Sequence, residues 1–204
     1  MHIFRIPGIF PMLLPKWKWQ GNKKEKVVYL TFDDGPHPEI TPWVIEKLSA
    51  YRAGATFFLI GENAEKYPDI IRLLEENEHK IGNHTLNHLK GWENPDDYYI
   101  ENVIKASATL SGKLFRPPYG RIRLTQAKKL RNLGFEIVMW SLLSCDYDPK
   151  LNREKSLKKL IQNTRNGSIV VFHDSDKAFE NLKFILQPYL EFLKNNGFEM
   201  KTLS

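Results

Sequence analysis

The run Val27-Val28-Tyr29-Leu30-Thr31-Phe32 stops on Asp33-Asp34-Gly35-Pro36. Its continuous β-branched and aromatic character reads as a strand buried on both faces, as in parallel sheets covered by helices. Ending such a strand on two carboxylates presents both at its carboxyl edge. Adjacent like charges repel, and they persist together only beside compensating positive charge. A metal ion is the expected compensation, with one carboxylate binding it and the other free to move a proton.

Outward from this strand, short apolar runs alternate with amphipathic segments. Further strands are predicted over 55–60, 80–82, 114–116, 135–141, 168–173 and 198–202, and helices over 41–51, 64–77, 96–111, 124–133, 153–164 and 179–195. Gly134 closes the fourth helix, the usual place for a glycine after a helix end. Strand–helix repetition with apolar strands implies an α/β fold with parallel strands. A distorted (β/α) barrel of about seven parallel strands is expected. A flavodoxin-like open sheet is the competing architecture.

The 204 residues suit one domain, and 42% hydrophobic residues are enough for a packed core. The net charge of +6 favours anionic partners, but the paired lysines (23–24, 128–129, 158–159) lack interleaved aromatics, so nucleic acid is not expected. Cys145 is the single cysteine; it permits no intramolecular disulfide and reads as a small buried hydrophobe rather than a nucleophile. Residues 1–26 read as a segment packing on a catalytic domain spanning 27–204. Prolines 7, 11 and 15 interrupt the early apolar residues, so no transmembrane span is expected, although Trp17, Lys18 and Trp19 suit a membrane interface. No small-residue cleavage site follows a clean apolar core. Location is therefore read as cytoplasmic by default, with the cell envelope as the alternative.

The unusual polar residues follow strands. Asp33 and Asp34 follow the first, His84 and His88 the third, Asp146 the fifth and His173 the sixth, while Arg116 stands at the fourth. In parallel α/β folds the carboxyl ends of strands form one face, where active sites sit. His84 and His88, four residues apart, can share a face in a helix or turn. With Asp34 they make a two-histidine, one-carboxylate set suited to Zn²⁺, and also to Co²⁺, Ni²⁺, Mn²⁺ or Fe²⁺. Asp33 is then a candidate base, against its simpler reading as a turn aspartate. His173 is a candidate acid, against a hydrogen-bonded core histidine, and Asp146 could raise its pKa. In Arg116-Pro117-Pro118-Tyr119-Gly120 an arginine can clamp a carboxylate, and a stiff backbone can aim an N–H at an oxyanion.

These motifs resemble the polysaccharide deacetylases, the metal-dependent carbohydrate esterases that include the nodulation-type chitooligosaccharide deacetylase domain. The resemblance rests on Thr31–Pro36, on Ala55-Thr56-Phe57-Phe58 with Gly61, on Gly82-Asn83-His84-Thr85-Leu86-Asn87-His88 and on Arg116–Gly120. It implies a distorted barrel of about seven strands. It also implies Asp33 as base, Asp34, His84 and His88 as metal ligands, and Arg116 as the group orienting Asp33. The Tyr119 N–H would serve as oxyanion donor, His173 as general acid and Asp146 as its tuning partner. Pro118, Tyr119, Tyr147 and Val171 would line the sugar and acetyl pocket. Leu143 and Tyr147 depart from the aspartate and tryptophan usual in the family, and Val171 from its leucine.

The implied activity is hydrolysis of an N-acetyl amide on a peptidoglycan- or chitin-like glycan, by a monomer. An O-acetyl ester, as on xylan, needs the same machinery. A sugar-binding homologue without turnover and a non-haem iron oxygenase are the alternatives from other classes.

Overall fold

The computed structural model describes residues 4–204. Its strands are β1 (Val27–Asp33), β2 (Ala55–Leu59), β3 (Lys80–Asn83), β4 (Leu114–Phe115), β5 (Glu136–Ile137), β6 (Leu142–Leu143), β7 (Ser168–His173) and β8 (Glu199–Met200). The helices are α1 (Ile9–Leu13), α2 (Ile40–Ala50), α3 (Gly61–Lys66), α4 (Pro68–Glu76), α5 (Asp96–Ala106), α6 (Leu124–Asn132), α7 (Arg153–Asn163) and α8 (Asp176–Asn195). Seven strands run in the order β5-β4-β3-β2-β1-β7-β6, all paired parallel, and β8 pairs with the start of β1. The sheet curls into an open barrel, as expected, and not into the flat doubly wound alternative.

The central strand β1 is buried along nearly its whole length. Val28, Leu30 and Phe32 share one core with Phe57, Phe172, Leu186 and Leu190, and Phe32 stacks between Phe57 and Phe172. Burying each such side chain contributes about 1.5–3 kcal/mol, so the strand carrying the paired aspartates is anchored in the best-packed part of the molecule.

Three expected elements differ. The helix over 64–77 is two helices, because Pro68 starts α4 and forces Tyr67 out of helical geometry. The last helix begins earlier than expected, at Asp176. The strand over 135–141 divides into β5 and β6, because buried Arg116 draws two of its carbonyls inward: Nε donates to the Val138 carbonyl (3.3 Å) and Nη2 to that of Met139 (3.0 Å). The amino-terminal segment fills the resulting seam. Lys18 exchanges backbone hydrogen bonds with Ile137 and Met139, Ile6 donates to Ser141, and Phe4 accepts from Leu143. Trp17 and Trp19 are buried there, stacked on one another.

Candidate metal and catalytic site

The strand register assembles the site. Asp33 stands opposite His173 across the β1–β7 pair, and Leu143 opposite Val171 across β6–β7. Asn83 pairs with Phe115, so His84 and Arg116, the next residue on each chain, leave the sheet side by side. A cleft of about 440 Å³ opens at these carboxyl ends, lined by Asp33, Asp34, His84, His88 and His173 among others.

His84 is buried, and its Nδ1–H donates to the Arg116 carbonyl (2.7 Å), which fixes the tautomer and leaves Nε2 bare. Nε2 lies 3.7 Å from Asp34 Oδ1, and His88 Nε2 lies 3.2 Å from the same oxygen. The three ligand atoms fall within 4.8 Å of one another, a group that could hold a metal ion. Burial depresses the His84 pKa to about 4 despite the attraction of Asp33 and Asp34, so the imidazole stays neutral, as a ligand must. Burial acts to raise the Asp34 pKa, but the hydrogen bond from His88 and the charges of His173, His84 and His88 together hold it well below the carboxylate range. Two imidazole nitrogens, that of His84 held neutral, beside an anionic Asp34 oxygen fit a divalent cation. His84 and His88 meet through a loop, not a helix: Thr85 (φ 71°) and His88 (φ 59°) both take left-handed backbone, as does Asp34 (φ 81°). Such strain at non-glycine residues costs about 1–3 kcal/mol each and persists only when the surroundings impose it. The Asn63 amide, donating to the Asp34 carbonyl (3.0 Å), is part of that imposition.

Asp33 is buried beside the cluster. Arg116 Nη1 donates to its Oδ1 (2.7 Å) and to Thr31 Oγ1 (2.6 Å), while the guanidinium lies over the Phe58 ring (4.1 Å). On the other side of the cleft, His173 Nδ1 donates to Asp146 Oδ1 (2.7 Å) and its backbone N–H to Oδ2 (2.9 Å). Burial opposes charging of His173, but Asp146, with Asp34 and Asp33 behind it, overcomes that and lifts the pKa to about 9. Asp146 is itself fully buried. Cys145 is buried with its thiol pushed up to about 12, chiefly by burial, so it offers no nucleophile.

The expected pocket residues divide. Tyr119, Tyr147 and Val171 line the cleft; Pro118 is buried and does not, and Pro117 takes its place. Tyr119 is half exposed, with left-handed backbone (φ 59°), and meets His88 edge-on. Tyr147 stands edge-on to His173 (5.2 Å) and takes Lys177 over its face (5.8 Å). Trp140 and Lys177 also line the cleft without having been anticipated. Their positions follow from the split strand and from the early start of α8, neither of which periodicity reveals. Asp174 was missed as well. Its carboxyl packs against Gly35, accepts from Thr41 Oγ1 (2.5 Å), and is pushed by burial to a pKa of about 8.

The chain belongs to the polysaccharide deacetylase family, whose sequence model matches residues 20–138. It is similar to a peptidoglycan-N-acetylglucosamine deacetylase of Bacillus cereus, 34% identical over 91% of this chain and 90% of that one. A chitooligosaccharide deacetylase of Azorhizobium caulinodans is 35% identical over 74% of this chain and 75% of its own length. A crystal structure of a peptidoglycan N-acetylglucosamine deacetylase superposes with a TM-score of 0.88 at 32% identity, covering 95% of this chain and 94% of that one. Bacillus subtilis PdaA, a family 4 carbohydrate esterase, superposes with a TM-score of 0.81 at 25% identity over 96% and 87% of the two chains.

Proposed function

We propose that this protein hydrolyses the N-acetyl amide of an N-acetylhexosamine in a peptidoglycan- or chitin-like glycan. The observation that carries this reading is one cleft holding three things at once. These are a two-histidine, one-aspartate cluster, a carboxylate clamped by a buried arginine, and a histidine backed by a buried aspartate.

Asp34, His84 and His88 would hold a divalent cation, with Zn²⁺ the first candidate and Co²⁺, Ni²⁺, Mn²⁺ or Fe²⁺ the others. When bound, such an ion supplies Lewis-acid polarisation and makes water more acidic. Asp33, with one oxygen occupied by Arg116, keeps the other to accept the proton of the attacking water. Arg116 fixes the orientation of Asp33 through the hydrogen bond to Oδ1. The Tyr119 N–H stabilises the oxyanion as the acetyl carbon becomes tetrahedral. His173 then delivers a proton from Nε2 to the departing amine, with Nδ1 pinned to Asp146. Water attack needs no acyl-enzyme, in keeping with an unreactive Cys145.

Acetate release from peptidoglycan fragments and chitooligosaccharides, with and without divalent ions, tests the reading. Ion-dependent release accompanied by a free amine in the product is expected. Binding of these glycans without release under any ion overturns it.

A further inference from the structure

The catalytic cleft continues into a second, larger hollow of about 840 Å³ that shares Tyr119, Gly120 and Trp140 with it and is walled almost wholly by apolar side chains. On its rim lies α1, which buries nothing: Ile9, Phe10, Met12 and Leu13 are all exposed, Met12 by 73% and Leu13 by 64%. Trp92, in the turn 91–93, and Leu124, at the start of α6, extend the same apolar surface, exposed by 57% and 67%. An exposed patch of this kind marks an interaction surface. Its electrostatic setting narrows the occupant. Residues 5–16, which span α1, carry Arg5 and Lys16 and no Asp or Glu. Arg5 and Lys16 flank α1 in the chain and are exposed, and Arg121 lies over the Trp92 ring (5.6 Å). Exposed apolar side chains flanked by Arg5, Lys16 and Arg121 are the chemistry of a segment that lies in a membrane interface. Among the described residues no helix is long and apolar enough to cross a membrane.

We propose that α1, with Trp92 and Leu124, docks this protein on a bilayer rich in anionic lipid, with the mouth of the catalytic cleft facing along the membrane surface. Ile9, Met12 and Leu13 enter the headgroup region, and Arg5, Lys16 and Arg121 meet lipid phosphates. Docking is independent of the proposed activity, so either can fail without the other.

Co-sedimentation with vesicles of phosphatidylcholine alone, and of phosphatidylcholine mixed with phosphatidylglycerol, tests it. The full chain is expected to sediment with the mixed vesicles at low salt and to be released at high salt. The Ile9→Ser, Met12→Ser, Leu13→Ser triple variant is expected to lose binding by about tenfold or more, since each apolar group contributes to the partition. Its melting temperature and its rate on soluble acetylated oligosaccharide are expected to stay those of the parent. Trp92 fluorescence, isolated by comparison with Trp92→Phe, is expected to shift to the blue with mixed vesicles. No sedimentation with mixed vesicles, or sedimentation that the triple variant retains, overturns the proposal. A dimer in solution that the triple variant dissolves, without vesicle binding, also overturns it and assigns the face to a second copy of the chain.

Discussion

At the level of single residues, Asp33 and Asp34 are neighbours in sequence with opposite surroundings. Asp33 is held by Arg116 and Asp34 faces two imidazoles. Substitutions at the two should therefore separate. Asp33→Asn is expected to retain zinc measured by elemental analysis while acetate release falls about 10²–10⁴-fold, the usual size of a lost general base. Asp34→Ala is expected to lose the metal itself. His173 gives a pH prediction. Its pKa is raised to about 9, so the acid form needed to protonate an amine is present below that value and is lost as pH rises through it. A bound cation offsets the charge of Asp34, one of the groups that raises His173, so the alkaline limb of kcat/KM belongs between the ordinary imidazole value of about 6.5 and about 9. In Asp146→Asn the limb should move toward about 6.5, because the main anion lifting His173 is gone. An alkaline limb unmoved in Asp146→Asn would remove His173 from the role of acid. The stability linkage has the same sign: the His173–Asp146 pair contributes fully below about 6.5, and the contribution is lost as pH rises through about 9.

Between elements, Arg116 does more than orient Asp33. Its guanidinium reaches Thr31 and Asp33 on β1, and the Val138 and Met139 carbonyls between β5 and β6, so it ties the central strand to the seam of the barrel. Arg116→Met should destabilise by about 3–5 kcal/mol, the usual cost of stranding one member of a buried ion pair. Urea unfolding measures it, and a change below about 1 kcal/mol would show that water replaces the guanidinium. The same residue explains where sequence reading stops. β1, β2 and β7 were legible because each is a continuous apolar run buried on both faces. The convergence of Asp33, Asp34, His84, Arg116, Asp146 and His173 was legible because they are polar residues at or just after the ends of strands. The interruption between β5 and β6 was not, since residues 135–141 look as strand-like as the others and only a buried cation at the end of the neighbouring β4, about twenty residues earlier in the chain, redirects their carbonyls. Trp140 and Lys177 enter the cleft as consequences of that interruption and of the helix start, so no local pattern marks them. Pro68, by contrast, did carry its signal: a proline inside a helical pattern ends the helix before it.

For the whole molecule, the candidate metal site couples chemistry to stability. Asp34, His84 and His88 come from loops after β1 and β3, and unfolding disperses them. Any ion bound by the folded chain alone therefore stabilises it by mass action, about 2.7 kcal/mol when the free ion stands at 100 times its dissociation constant. For a chain of this size each kcal/mol is worth roughly 2–4 °C of melting temperature, so saturating Zn²⁺ should raise it by roughly 5–10 °C. The rise should be abolished by a chelator and absent in Asp34→Ala. It should persist in Asp33→Asn, because Arg116 and not the ion is the partner of Asp33. Differential scanning fluorimetry across the ion series reads this without any substrate, and the size of the shift ranks the metals. Equal shifts in the parent and in Asp34→Ala would mean that the ions act elsewhere on the surface. The three-residue cluster would then be only a hydrogen-bonded cap on β1.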